Sequence, residues 1–214
     1  MATLPLPPIT LSPAESSDFY PIAALEAHTF YKEEFSAVAF GPKRDSPENL
    51  ALREKILASQ PKEKGSINKV VKAVVSVDGR EEIVGAAGWT FAIRREGEDG
   101  GKDLVDGGKE DDEEVRGWGD GANVKLCEDI FLVADAHMLR STEGKNYASK
   151  FSFLLLIRTH LMELGLNTLV VSPKWQRRGI GKILLEKGLK EADELGLQAV
   201  LGASKEGKGL YKKY

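Results

Sequence analysis

A chain of 214 residues with 42% apolar side chains can bury one substantial core, or one core plus a long insertion, so a single domain over residues 1–214 is the simplest expectation. The only cysteine, Cys127, excludes an intrachain disulfide and a multi-cysteine metal site, and His28, His137 and His160 show no ligand spacing, so no metal is expected. The net charge of -3 is unevenly placed, for ten Lys/Arg face five Asp/Glu from Leu166 onward, which puts an anion site in that part of the chain. Its cations centre on one turn rather than on a stripe with interleaved aromatics, which argues against nucleic acid as a partner. No run of eighteen apolar residues occurs, and Met1 to Pro8 has neither a basic start nor an apolar h-region. These features predict a soluble, cytoplasmic protein with no membrane partner.

In chain order, Ile9-Thr10-Leu11 predicts a short strand, and Ser12-Pro13 signals the start of a helix from about Ala14 to His28. Ser46-Pro47, with Glu48 in the first turn, predicts a second helix that Pro61 stops. Between them, Phe30 to Gly41 carries four aromatics, read as core in preference to a substrate-groove wall. The β-branched run Val70 to Val77 ends at Asp78-Gly79 and is followed by Ile83 to Phe91, which predicts an antiparallel hairpin. Arg94 to Gly121 holds eleven Asp/Glu and eight glycines with few large apolar residues, so residues 94–121 read as an acidic, disordered insertion. Helical character is read over Asn123 to Leu139 and Tyr147 to Leu164, the latter densely apolar and open to a strand reading as well.

The run Leu169-Val170-Val171-Ser172-Pro173-Lys174-Trp175-Gln176-Arg177-Arg178-Gly179-Ile180-Gly181-Lys182-Ile183-Leu184-Leu185 places a strand, a basic glycine-rich turn and an amphipathic helix in succession. A helix starts with four N–H groups that lack intrahelical partners, and its dipole adds positive potential there, so a phosphate is stabilised by main chain alone. Arg177, Arg178 and Lys182 add charge, and Gly179 and Gly181 let a diphosphate approach the backbone. Several phosphate ligands fit this cradle. The helix continues to Gly196, Leu197 to Leu201 predicts a further strand, and Ser204 to Tyr214 a final helix.

Gln176-Arg177-Arg178-Gly179-Ile180-Gly181, after an apolar strand and Pro173, resembles the acetyl-CoA motif Q/R-x-x-G-x-G/A of the GNAT acetyltransferase superfamily. Leu201 to Lys213 resembles that superfamily's second cofactor segment, in which a small polar residue and a tyrosine seven positions later, here Ser204 and Tyr211, face the thioester. The resemblance covers about the last fifty residues. It implies an α/β (α+β) GNAT-like acyl-CoA N-acyltransferase fold: a central mixed, mostly antiparallel sheet, flanking helices, and a splayed strand at the cofactor site. It implies acetyl-CoA as cofactor and a primary amine, on a small molecule or a peptide, as acceptor attacking the thioester directly. The backbone of Val170 and Val171 would pair with the pantetheine amides. Gln176, Arg177, Arg178, Gly179, Ile180, Gly181 and Lys182 would hold the diphosphate, and Ser204 would line the site. The N–H of Val171 would stabilise the oxyanion, and Tyr211 would protonate the leaving thiolate. For the base, Glu33, Glu34, Glu128, Asp129 and His137 are candidates, and the sequence singles out none.

The chain departs from the family pattern in two ways. It ends at Tyr214, where family members continue through a Gly-Phe step into two more strands, so a C-terminal truncation is expected, or a second subunit that completes the sheet as a homodimer. Ser172 stands where similar fungal-type members often carry His. Two function classes follow, an N-acetyltransferase and, as the alternative, a catalytically impaired acyl-CoA-binding module acting through a partner. A P-loop nucleotide-binding protein is disfavoured, because no G-x-x-x-x-G-K-[ST] occurs.

Overall fold

Hydrophobic alternation in two long strands organises the molecule. In a computed structural model that describes residues 7–61, 65–92, 118–130, 133, 147–150, 168–201 and 207–214, β2 (Ser66–Val77) and β3 (Arg80–Ala92) form the expected hairpin. Its turn, Asp78-Gly79, has φ of 52° and 75°, the paired positive values that suit a two-residue turn to strand twist. The preceding strand β1 (Ile9–Pro13) pairs antiparallel with β2. Between β1 and β2 lie α1 (Phe19–Phe30), α2 (Glu34–Phe40) and α3 (Pro47–Ala58).

Ser46 and Pro47 start α3 as their chemistry predicts. The Ser46 hydroxyl accepts from Asn49 N–H at 3.3 Å, and proline occupies the first turn, where its missing donor matters least. The same signal at Ser12-Pro13 does not start a helix at Ala14. Ala14 N–H instead donates to Val70 carbonyl at 2.8 Å, so the chain stays bonded to β2 for one residue past the proline that ends β1. A 3-10 turn at Ser16–Asp18 follows, with the Asp18 carboxylate accepting from Glu15 N–H at 2.7 Å, and α1 begins only at Phe19. The four aromatics between Phe30 and Gly41 divide: Tyr31 and Phe35 are exposed, while Phe30 and Phe40 are partly buried, Phe40 stacking on Trp118.

Beyond β3, residues 93–117 lie outside the described residues, and with them most of the expected acidic insertion. Of its last four residues, Trp118 is buried and Asp120 and Gly121 are exposed. Trp118 is buried with Ala39, Ile56 and Cys127, and the Asn49 side chain both accepts from Asp120 N–H and donates to its carbonyl. Residues 124–130 form α4. Tyr147 to Lys150, expected in a helix, form strand β4 (Tyr147–Lys150), because a ladder with β3 on one side and β6 (Gln198–Leu201) on the other satisfies the backbone in the extended form. The rest of that expected helix lies outside the described residues.

The sheet is mixed and mostly antiparallel, in the order β1-β2-β3-β4-β6, and β5 (Leu169–Val171) also joins β3. β4 and β5 lie in tandem on one edge of β3: Gly85 to Ala87 face Val171 to Leu169, and Thr90 to Ala92 face Ser149 to Tyr147. Only β4 is flanked by β6. Among the described residues the outer edge of β5 is uncovered, and this is where the expected splay appears.

The two sheet faces carry different cores. Ala86 and Val170 meet Ile22, Ala23 and Leu57 of α1 and α3. On the other face Ala87, Trp89 and Phe91 meet Ile180, Leu184 and Leu185 of α5 (Ile180–Glu194). Gly188 seats that helix, since a Cβ at this position would stand inside the indole ring of Trp89. Two shielded ion pairs bind the helical layer. Arg53 grips Glu26 through two bonds of 2.6 and 2.9 Å, and Lys72 meets Asp18 at 2.7 Å.

Gly188→Ala should lower stability by about 1–3 kcal/mol, the range for overfilling a packed core. Thermal unfolding checks this, with Lys187→Ala on the exposed face as a near-silent control. Burial raises the Asp18 pKa, but the bonds from Lys72 and from Glu15 N–H outweigh it and leave the carboxyl below its ordinary range. A depressed carboxyl stabilises the fold above its unfolded pKa and loses that contribution as pH falls through the folded value. Asp18→Asn should therefore flatten the loss of stability below about pH 4, measured by denaturant unfolding across the acid range.

Candidate functional site

β5 ends in a tight turn whose backbone is set locally. Ser172 opens a 3-10 turn, Pro173–Trp175, in which Trp175 N–H donates to Ser172 carbonyl at 2.8 Å. Two residues then take left-handed backbone. Arg177 has φ of 61°, and Gly179, the N-cap of α5, has φ of 87°. At Gly179 the left-handed form is free of strain, whereas at Arg177 it costs about 1–2 kcal/mol.

Gly179 carbonyl accepts from Ile183 N–H at 3.1 Å, so the N–H groups of Ile180, Gly181 and Lys182 precede the first intrahelical bond. The helix start is open on the Gly179 side, for nothing lies within 4 Å of where a Gly179 Cβ would stand. Ile180 and Leu184 are buried under β3 and anchor this helix end. Around it stand the exposed cations. The Arg178 guanidinium lies 4.9 Å from the Trp175 ring centre, Lys182 is 3.7 Å from the Glu186 carboxylate, and Arg177 points to solvent. Arg177, Arg178 and Lys182 thus gather positive charge around the start of α5.

The free edge of β5 borders this turn. Gly88 N–H donates to Thr168 carbonyl and Ser172 N–H to Val84 carbonyl, each at 2.8 Å. Antiparallel ladders alternate, so Val170, midway between these bonds and opposite Ala86, turns its N–H and C=O toward β3. Val170 therefore cannot pair with a ligand arm through its backbone, contrary to the sequence expectation. Val171 can, and so can Leu169, which the sequence reading missed. The signal that finds Leu169 is strand period two, but only once the register on β3 is known. The Gln176 side chain turns back to this edge, its Nε2 donating to Val171 carbonyl at 3.0 Å.

Tyr211 sits on the short helix α6 (Lys208–Tyr211) and packs on the core beneath α5. Gly181 shows how close α6 comes. A Cβ there would meet Leu210 at 3.6 Å, Val171 at 3.7 Å and Leu169 at 3.9 Å, so the cradle, the β5 edge and the tyrosine-bearing helix converge on one glycine. Burial pushes the Tyr211 phenol above its ordinary range, which keeps its proton in place at neutral pH. Ser204 lies outside the described residues, as does His137.

The other candidate bases belong to a different cluster. Glu33 and Glu34 begin α2, and Glu128 and Asp129 lie on α4, where Lys125 pairs with Asp129 at 2.5 Å. Both helices pack around Ala39 and Cys127 rather than beneath the cradle. Cys127 is itself inert. Its Sγ approaches Ala39 carbonyl at 3.3 Å, and burial, with the Glu128 charge, raises its thiol to about 11. Among the described residues no cluster of metal-ligating side chains occurs, and no helix is long and apolar enough to cross a membrane.

The family model described as Acetyltransferase (GNAT) family matches residues 153–213, a stretch that holds β5, the cradle, α5, β6 and α6. Over these residues the chain matches the GNAT acetyltransferase family. A search of curated proteins returns no match. Among solved structures, the chain is similar to a ribosomal-protein-alanine N-acetyltransferase from Brucella melitensis biovar Abortus 2308, at 12% identity and a TM-score of 0.46, over 97% of this chain and 88% of that one. It is also similar to a protein described as histone acetyltransferase HPA2 and related acetyltransferase from Corynebacterium glutamicum, at 18% identity and a TM-score of 0.49, over 96% and 82%. These likenesses are distant, and the assignment rests on the family match together with the cradle.

If the left-handed backbone at Arg177 is strained, Arg177→Gly should be more stable than Arg177→Ala by about 1 kcal/mol, because both remove the guanidinium and only glycine relieves the backbone. Comparing the unfolding free energies of the two variants tests this.

Proposed function

We propose that this protein transfers an acetyl group from acetyl-CoA to a primary amine by direct attack, and that residues 1–214 work as one domain. One observation carries the reading: Leu169, Val171 and Leu210 close around Gly181, so a diphosphate cradle, an open strand edge and the helix bearing a protonated tyrosine share one corner of the fold.

The residues present fit the cofactor. Its diphosphate suits the N–H groups of Ile180, Gly181 and Lys182 and the charges of Arg177, Arg178 and Lys182, and its amide-bearing arm suits the outward groups of Val171 and Leu169. Acetyl-CoA supplies an activated acyl carbon and a thiolate leaving group. An N–H on the β5 edge stabilises the negative charge that develops on the acyl oxygen as the amine attacks. Val171 lies nearer the cradle and Leu169 one step further along the edge, so the Leu169 N–H takes that role and the Val171 N–H is left to the arm. Tyr211 delivers its proton to the departing sulfur, a task for which a phenol held neutral by burial is suited, and the proton the amine gives up on acylation restores the phenol by way of solvent.

Acetyl-CoA at a hundred times its dissociation constant should stabilise the fold by about 2.7 kcal/mol, read as a rise in thermal midpoint. Gly179→Glu should abolish the rise. Gly179→Ala, which carries the same backbone strain without the charge, should retain part of it. With an amine panel, release of free thiol should slow about a hundredfold or more in Tyr211→Phe. No thermal rise in the parent protein would refute the cofactor assignment, whereas a rise with thiol release indifferent to Tyr211 would favour the binding-module reading.

A further inference from the structure

The edge of β5 beside the cradle is asymmetric. Val171 turns both its N–H and its C=O outward, yet the two are not equally open. The carbonyl is covered by Gln176 Nε2 at 3.0 Å, while no acceptor faces the N–H among the described residues. The peptide group linking Val171 to Ser172 is held from both sides, since its N–H donates to Val84 and its C=O accepts from Gln176. Next to the anion-binding turn the strand therefore presents a donor and no open acceptor.

That polarity matches the order of groups on the ligand arm. Leading away from the diphosphate, the arm of CoA offers a hydroxyl, then an amide carbonyl, and only then the amide N–H. A donor at Val171 welcomes the carbonyl. An uncovered protein carbonyl at the same place would face it lone pair to lone pair and favour an arm slipped along the strand. Resting on the cofactor reading above, we infer that Gln176 is a positioning residue: by covering the Val171 carbonyl it sets the register in which the arm lies along β5. Its effect reaches the ligand through Val171 and requires no contact with phosphate.

The test separates the arm from the phosphates. Gln176→Met keeps the length of the side chain and loses the donor, and Gln176→Arg restores an N–H donor. Each variant and the parent protein are titrated calorimetrically with CoA and with adenosine 3′,5′-bisphosphate, which carries phosphates and no arm. Gln176→Met should weaken CoA about 3- to 10-fold, the scale of one neutral hydrogen bond, and leave the bisphosphate unchanged. Gln176→Arg should recover the loss. Because Gln176 is exposed, the thermal midpoints should coincide. Equal losses for both ligands would place Gln176 on the phosphates and overturn the inference. So would unchanged or tighter CoA binding in Gln176→Met, which would make the side chain a bystander or a competitor of the arm. A parent protein that binds the bisphosphate as tightly as CoA would defeat the arm register alone. One that binds neither ligand would defeat the cofactor reading itself.

Discussion

The contact between Trp89 and Gly188 governs the rest of the fold. A fully buried indole from the middle of β3 occupies the place where any other residue of α5 would project a side chain, so the helix lies flat against the sheet at one depth. With that depth fixed, Ile180, Leu184 and Leu185 bury against β3, and the first turn of α5 comes to rest beside β5. The cradle is thus aimed by a packing contact two helical turns away. A second close approach supports it from the strand side: Gly85, where a Cβ would stand 2.9 Å from Val170 carbonyl and 3.3 Å from Ile180, lets β3, β5 and α5 meet without a gap.

Features that depend on a few consecutive residues were legible in the sequence. The cradle could be read because left-handed turns, helix caps and unpaired N–H groups are local properties, announced by Gly179, Gly181 and the arginines between strand and helix. The β2–β3 hairpin could be read for the same reason, as Asp78-Gly79 specifies its own turn. Features set by partners distant in the chain were not legible. Whether Val170 or its neighbours face a ligand depends on the register of three residues against β3, fixed across more than eighty positions. The start of α1 was misread because a proline signal at Pro13 yields to a ladder bond from Ala14 to Val70. Tyr147 to Lys150 look helical alone and become a strand because two strands flank them.

The layers divide the work. The α1–α3 face combines an apolar core with two shielded pairs, Arg53 with Glu26 and Lys72 with Asp18, that join the helices to each other and to β2. The α5 face combines apolar packing with the Lys69–Glu191 pair between β2 and the helix, and carries Arg177, Arg178 and Lys182 exposed on the outer turn. Both layers follow from the same sheet, whose alternation sends Ala86 to one and Ala87 to the other.

An anion site made of main-chain N–H groups, as proposed for the start of α5, has a consequence for how the protein can vary. Its donors belong to the peptide backbone at Ile180, Gly181 and Lys182, and every amino acid except proline supplies an identical N–H. Side chains on the turn can drift in size and charge and change affinity by degrees, since each adds only to a field already present. What cannot drift is the dihedral angle at Gly179, which decides where all three donors point. Tolerance and intolerance therefore lie one residue apart, and the most permissive stretch of the surface is hinged on one of the least permissive positions in the chain.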